Sequence, residues 1–175
     1  IHRECFPGMD KYFTPFLTPS QKKAMTPREN RDVLPENNQE VPLVPQILTN
    51  CAEDFIKTAK NLQEYGYEEV NLNLGCPSGA LASKVKGAGF LREPEGLELF
   101  LEQVCEGMER LGLELSVKTR LGIEEPEEFD RLLSIYNRFP LKELIIHPRV
   151  LKDFYKYTPR MEAFRNAFAN SAAPV

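Results

Sequence analysis

What this chain does not contain narrows it first. Its four cysteines, Cys5, Cys51, Cys76 and Cys105, form no C-x-x-C pair, and neither of its two histidines stands at zinc-finger distance from them. That spacing speaks against a metal and for four free thiols, as expected of a reducing cytoplasm. No apolar run approaches the ~18 residues of a membrane span, and no signal peptide opens the chain. Positive charge is not in excess: 22 Lys and Arg stand against 26 Asp and Glu, a net of -4. The chain as a whole therefore lacks the electrostatic footprint of a nucleic-acid binder, and such a contact has to come from a local patch or from further sequence. No G-x-G-x-x-G follows the first strand-like segment, which weakens a dinucleotide-binding fold. The chain opens on Ile1 instead of Met and closes on the apolar "SAAPV", so the expectation is a piece of a longer protein.

What is present suits one soluble globular unit: 175 residues, 42% hydrophobic and 27% charged. Five segments read as strands: 12–18, 41–49, 69–77, 113–122 and 142–149. The second is β-branched, with prolines that forecast an irregular start. The third alternates Val70, Leu72 and Leu74 against Asn71 and Asn73. Helical patterns lie between them. Asn50 and Glu53 resemble a capping box ahead of Phe55, Ile56, Ala59 and Leu62, with a stop at Gly66. A second pattern starts near Pro94, carries Leu97, Phe100, Leu101, Val104 and Met108, and stops at Gly112. A third starts at Pro126 and shows Phe129, Leu132, Leu133 and Tyr136; its charged "PEEFD" start reads as a solvated face. A fourth starts near Pro159, with Met161, Phe164 and Phe168. The stretch 20–40 is polar, with room for one short helix.

Strand–helix alternation of this kind predicts parallel strands joined by right-handed crossovers. An open doubly wound sheet and a (β/α) barrel both fit. In a barrel, catalytic groups sit at the C-terminal ends of the strands. Four successive strands here end in chemically useful residues: Gln46; Asn73 and Cys76; Lys118 and Arg120; His147 and Arg149. One shared pocket explains that better than chance.

Each residue also has a plain structural reading. Cys76 is either a buried thiol that caps its strand or a thiol held at a pocket rim by Gly75 and Pro77. An ordinary thiol is mostly protonated at neutral pH and can donate a proton without tuning. Lys118 either snorkels to solvent or brings its charge to an anion, since a lysine in a buried strand is otherwise costly. His147 emerges where the run Leu144-Ile145-Ile146 ends, as a core histidine or a ligand. Gln46 satisfies a backbone group or binds a ligand amide. The glycine-rich basic stretch "KVKGAG", which holds Lys84 and Lys86, is a flexible surface loop or a clamp on an extended substrate.

The stretch "NLNLGCPSGALASKVKGAGFLREP" resembles the active-site signature of the tRNA-dihydrouridine synthases. "VPQIL", "VKTRLG", "IIHPR" and "DFYKYTP" follow in the order that resemblance requires. It implies a partial TIM (β/α) barrel, about strands two to six of eight with intervening helices. Residues 1–175 would be one incomplete catalytic domain, inactive alone, without the C-terminal helical domain that helps hold tRNA. The stretch "IHRECFPGMD" would be the helix end and loop after strand one, and the phosphate site of the cofactor would lie on strands seven and eight. The activity implied is flavin-dependent reduction of the C5–C6 double bond of uridine in tRNA, with FMN as cofactor and NADPH or NADH as reductant. By position, Cys76 is the proton donor; Gln46, Lys118 and His147 contact the FMN; Asn73 lies by the uracil; and Lys84, Lys86 and Arg149 belong to the substrate side. The partner is tRNA, the setting cytoplasmic, and oligomeric state stays open. The rival reading is another FMN-dependent barrel acting on a free pyrimidine, dihydroorotate dehydrogenase-like. A second is a scaffold or RNA-binding remnant without flavin.

Overall fold

The computed structural model describes residues 5, 6 and 8–175, so the reading of "IHRECFPGMD" falls partly outside the described residues. Strands β1 (Tyr12–Phe13), β2 (Leu43–Val44), β3 (Gln46–Ile47), β4 (Glu69–Leu74), β5 (Glu114–Arg120) and β6 (Glu143–His147) alternate with helices from the second half of the chain's first third onward. The helices are α1 (Pro27–Val33), α2 (Ala52–Glu64), α3 (Gly79–Ala82), α4 (Pro94–Leu111), α5 (Glu128–Tyr136) and α6 (Met161–Asn170). Strands β3, β4, β5 and β6 form one parallel sheet in sequential order, and β1 and β2 form a parallel pair beside it. The expected parallel α/β organisation is therefore present.

Two expected strands are shorter than their apolar runs because proline interrupts the ladder. Pro15 and Pro45 carry no N–H, so each segment changes partner at that point. Before Pro15 the chain pairs with β2; after it, Leu17 pairs with Ile47. At the break the Gln46 amide donates instead to the Thr14 hydroxyl, 3.0 Å away. That bond fixes the position of Gln46.

The helices pack on one face of the sheet. Val70, Leu72 and Leu74 of β4, Leu115 and Val117 of β5 and Leu144 of β6 meet Phe55, Ala59 and Leu62 of α2 and Leu97, Leu101 and Val104 of α4, all buried. Edge-on aromatic pairs, Phe55–Phe100 at 6.2 Å and Phe90–Phe100 at 5.4 Å between ring centres, fill the layer. Gly112 closes α4 in the left-handed region (φ 65°), as its place after Leu111 predicts.

Two local expectations change. Helix α2 begins at Ala52, so Cys51 is its N-cap and Asn50 lies too early to cap; the Asn50 amide donates to Lys84 O at 3.3 Å. The box belongs to α1, where Thr26 and Glu29 cap each other. Glu29 also accepts from the Thr18 amide and hydroxyl at 2.7 and 2.8 Å, tying the polar excursion back to the first strand segment. Within "PEEFD", Glu128 is not a solvated charge. Its carboxylate accepts from the amides of Ile123, Glu124 and Glu125 at 2.8–2.9 Å and so closes the turn after β5.

Candidate active site

The second face of the sheet is polar, and register decides which of its groups meet. Gln46 stands opposite Asn71, and Asn71 opposite Ser116. One level further along the strands Asn73 stands opposite Lys118, and at the last level Arg120 stands opposite His147. Residues two apart on a strand share a face, so all of these side chains leave the sheet on the side away from the helices.

The amides among them form a continuous buried chain. Asn71 Nδ2 donates to Ser116 Oγ at 2.9 Å, Gln46 Nε2 to Asn71 Oδ1 at 2.8 Å, and Asn73 Nδ2 to Gln46 Oε1 at 2.6 Å. Asn73 Oδ1 then accepts from the backbone amides of Gly75 and Cys76 at 3.1 and 3.0 Å. That double bond bends the chain at the end of β4 and explains the spacing Asn-x-Gly-Cys: the asparagine holds the turn on which the cysteine sits.

The turn also has a seat. Ala88 N donates to Cys76 O at 3.0 Å, and Gly87 (φ +59°) approaches so closely that an added Cβ would lie 2.9 Å from the same oxygen. Gly89 lies against Ala82, where a Cβ would stand 2.5 Å from its Cα. Gly87, Ala88 and Gly89 are buried. The glycine-rich stretch is thus a packed support under the Cys76 turn, not a loose loop; Lys84 (exposed) and Lys86 (half-buried) are not in the cavity wall.

Gln46, Asn73, Gly75, Cys76, Lys118 and His147, with Phe13, Phe16 and Tyr155, line one cavity of about 330 Å³. No carboxylate lines it. The half-buried Lys118 ammonium has its pKa lowered, first by burial and then by Arg120, against the attraction of Cys76. Gly75 makes room for it: a Cβ there would come within 3.3 Å of Nζ. His147 is pushed down to about 4 by burial and then by the charges of Arg120, Lys118 and Arg149. Geometry agrees. Arg149 Nη1 lies 2.8 Å from His147 Nε2, and an arginine can only donate, so Nε2 is the acceptor and the ring is neutral with its proton on Nδ1. The other donors of Arg149 hold Lys156 O and Tyr157 O at 2.9–3.1 Å, which places this residue behind His147 and not in the cavity wall.

Five of the expected residues (Gln46, Asn73, Cys76, Lys118, His147) therefore meet in one cavity, while Lys84, Lys86 and Arg149 do not line it. Reading the strand ends picked out Arg120 without giving it a part, and it missed Asn71 and Ser116. The signal was present: each lies on the polar side of a strand, two residues from an expected site residue. A larger cavity, about 740 Å³, opens near the start of β5 between α4 and the segment 139–142. Four glutamates rim it, and it gathers none of the residues above. Among the described residues no group of His, Cys, Asp and Glu is placed to hold a metal ion, and no helix is long and apolar enough to cross a membrane.

The family model for dihydrouridine synthase (Dus) matches residues 8–167. The chain is 38% identical over 101 residues to the tRNA-dihydrouridine(20/20a) synthase of Vibrio parahaemolyticus, covering 58% of this chain and 30% of that protein. It is 36% identical over 121 residues to the tRNA-dihydrouridine(20/20a) synthase of Shewanella oneidensis, covering 67% of this chain and 35% of the other. A probable tRNA-dihydrouridine synthase of Staphylococcus aureus is 32% identical over 126 residues, 72% of this chain and 37% of that protein. The chain thus spans about a third of the length of the curated relatives it matches. With 160 consecutive positions from Met9's neighbour Gly8 to Ala167 matched by one family model, this chain belongs to the dihydrouridine synthase family.

Proposed function

We propose that this chain carries the proton-donor side of a tRNA-dihydrouridine synthase, which reduces the C5–C6 double bond of uridine in tRNA. The observation that carries this reading is the single cavity in which four successive strands place Gln46, Asn73, Cys76, Lys118 and His147 with no carboxylate among them. Sequential parallel strands, with helices on one face and polar groups on the other, fit part of a (β/α) barrel, about strands two to six of eight. Residues 1–175 then form part of one catalytic domain of that fold.

The residues fit FMN on their chemistry. An unneutralised ammonium (Lys118), a neutral imidazole that is kept from protonating (His147) and a primary amide (Gln46) suit the polar, electron-rich edge of a flavin ring. When bound, FMN supplies hydride to C6 of the uracil, drawn from NADPH or NADH. The chain's own residues do the rest. Lys118 would hold the cofactor's electron-rich edge and offset negative charge there. Gln46, itself fixed by Thr14, Asn71 and Asn73, orients a planar partner. Asn73 keeps the Cys76 turn in place, with one amide hydrogen left for a base. Cys76 would hold a proton at Sγ and deliver it to C5 as enolate-like charge develops there. A uridine inside folded RNA has to leave its stack to reach a cavity of this kind. Lys84 and Lys86 would meet the phosphate backbone of the substrate, with Arg149 on the same side as the weaker candidate because its donors already hold His147, Lys156 O and Tyr157 O. The thiols are free and the setting is cytoplasmic.

The test is direct. The gene is deleted, and bulk tRNA is digested and analysed for dihydrouridine by mass spectrometry, with and without the wild-type copy or a Cys76→Ala copy. Restoration by wild type alone supports the reading. Unchanged dihydrouridine in the deletion strain, with turnover of free orotate or uracil by the purified protein, assigns the site to a free pyrimidine instead.

A further inference from the structure

Arg120 is fully enclosed (0% exposed), although a guanidinium keeps its charge at every accessible pH. Asp153, the carboxylate that bears on it, is already engaged by Arg160 and by the Val150 amide. Two of its nitrogens donate to backbone oxygens instead, while Nη2 is buried without a hydrogen-bond partner and the guanidinium carbon lies 5.3 Å from the centre of the Tyr155 ring. Nε donates to Gly75 O at 2.8 Å, and Nη1 donates to Val150 O at 3.0 Å and to Phe154 O at 2.7 Å. Gly75 precedes Cys76, whereas Val150 and Phe154 bracket the turn that follows β6. Among the described residues no backbone hydrogen bond joins these two segments, so this side chain is the polar tie between them.

Its place in the sheet explains the reach. Lys118 stands opposite Asn73, still within β4, whereas Arg120 lies one level further on, past the last residue of that strand. At that level the neighbour on the β4 side is no longer a ladder partner but a turn, and the guanidinium takes up the carbonyl the turn leaves free. On the other side it holds Phe154 in a left-handed conformation (φ 52°) that a bulky residue adopts only when its surroundings enforce it. An interior that needed only filling is served as well by apolar side chains, since burying a charge is costly. Three acceptors drawn from the two segments that border the cavity point to a different use.

We infer that Arg120 is a positioning residue for Cys76: by binding Gly75 O it fixes the 75–76 peptide plane, hence the direction in which Sγ leaves the turn, and locks that plane to the 150–154 segment. This rests on the reading of Cys76 as proton donor. The same charge lies close enough to His147 and Lys118 to lower both their pKa values, so it also helps keep the imidazole neutral.

Arg120→Lys and Arg120→Met test this in the purified protein. Lysine keeps the charge but presents a point donor that cannot span three carbonyls; methionine keeps the volume alone. Iodoacetamide labelling of each cysteine is followed by peptide mass spectrometry against pH, alongside steady-state turnover of tRNA. Expected is a shifted rate–pH profile at Cys76 in both variants, with Cys51 and Cys105 unchanged. A misplacement of about 1 Å costs on the order of 100-fold, so kcat falls by roughly 10–100-fold while KM for tRNA stays within about threefold. Wild-type labelling at Cys76 and wild-type kcat in Arg120→Lys, with only a lower Tm, overturn the inference and leave Arg120 a structural residue. Where Arg120→Met fails to fold, the lysine variant decides. If the wild-type protein turns over no tRNA, the labelling still decides: a changed Cys76 profile upholds the positioning while the enzymatic reading fails by itself.

Discussion

The two ends of the four-stranded sheet treat positive charge in opposite ways. Where the strands begin, Lys11 Nζ lies 2.9 Å from Glu69 and 3.0 Å from Glu143, and Lys142 lies 2.8 Å from Glu114. Each cation there has its carboxylate. Where the same strands end, Lys118, Arg120, His147 and Arg149 gather with no carboxylate in the cavity wall. Arginine carbonyl bonds and a deprotonated imidazole stand in for ion pairs. The first end is assembled to hold the strands together. The second keeps electrostatic demand unmet, which is useful only if a ligand meets it. That contrast supports the proposed site at the C-terminal ends of the strands on physical grounds, independent of any likeness to other proteins.

Substitutions can break or sharpen the contrast. The largest effect is expected from Cys76→Ala. Loss of a positioned acid lowers turnover by about 100-fold or more, while flavin absorbance co-purifying with the protein is unchanged; wild-type turnover in this variant removes Cys76 from the reaction. Lys118→Met comes next. Losing a charge-assisted contact of about 1.5–3 kcal/mol weakens flavin binding by roughly 10–100-fold in a fluorescence titration. The same change removes a half-buried charge that folding disfavours, so the ligand-free protein melts a few degrees higher, about 1 kcal/mol. The opposite sign holds at the other end. Lys11→Met leaves Glu69 and Glu143 facing each other and lowers stability by about 1–2 kcal/mol, with flavin affinity untouched. The Lys11 pKa is raised, because its bonds to both carboxylates outweigh burial. Its contribution is therefore complete below the ordinary lysine pKa and fades as alkaline titration passes the raised value; a flat stability profile there argues that the triad contributes nothing.

His147 gives a smaller, pH-dependent signature. Its folded pKa of about 4 lies below the ordinary 6.5, so between those values the unfolded chain takes up a proton that the folded ring refuses. Stability falls as the pH drops through that window, and an NMR titration assigned with His147→Gln should place the ring's midpoint near the lower value. A midpoint near 6.5 removes the cationic cluster as an influence on this ring. Thr26→Ala touches neither end. It removes the side-chain cap of α1, costs about 1 kcal/mol in chemical denaturation, and leaves flavin binding and turnover as they were.

Much of this was legible in the residues. Alternation in Val70–Leu74, the helix stop at Gly112 and the sequence of apolar faces depend on local periodicity, and the sheet follows them. The prolines of the second strand segment could be seen to disturb it, but not that Pro15 and Pro45 would break both segments at one level and leave Gln46 N to Thr14. Of the two readings of "KVKGAG", the flexible loop fails, since composition cannot tell a mobile glycine loop from one pressed against Cys76 O and Ala82. Asn50 looked like a cap because cap signatures are short, and a helix start one residue later sufficed to undo it.

By itself the sequence determined the order of strands and helices, the parallel sheet, and which residues stand at the strand ends. These follow from side-chain period and chain connectivity, which are local. Only the tertiary structure decided how those ends work together. Asn73 spends its oxygen on the turn that presents Cys76, Gly87 supports that turn from beneath, and Arg120 reaches across 45 residues of sequence to Gly75 O and across 30 to Val150 O. Every residue offers the same carbonyl, so no pattern of side chains can mark which one an arginine will find; packing alone brings that oxygen within reach.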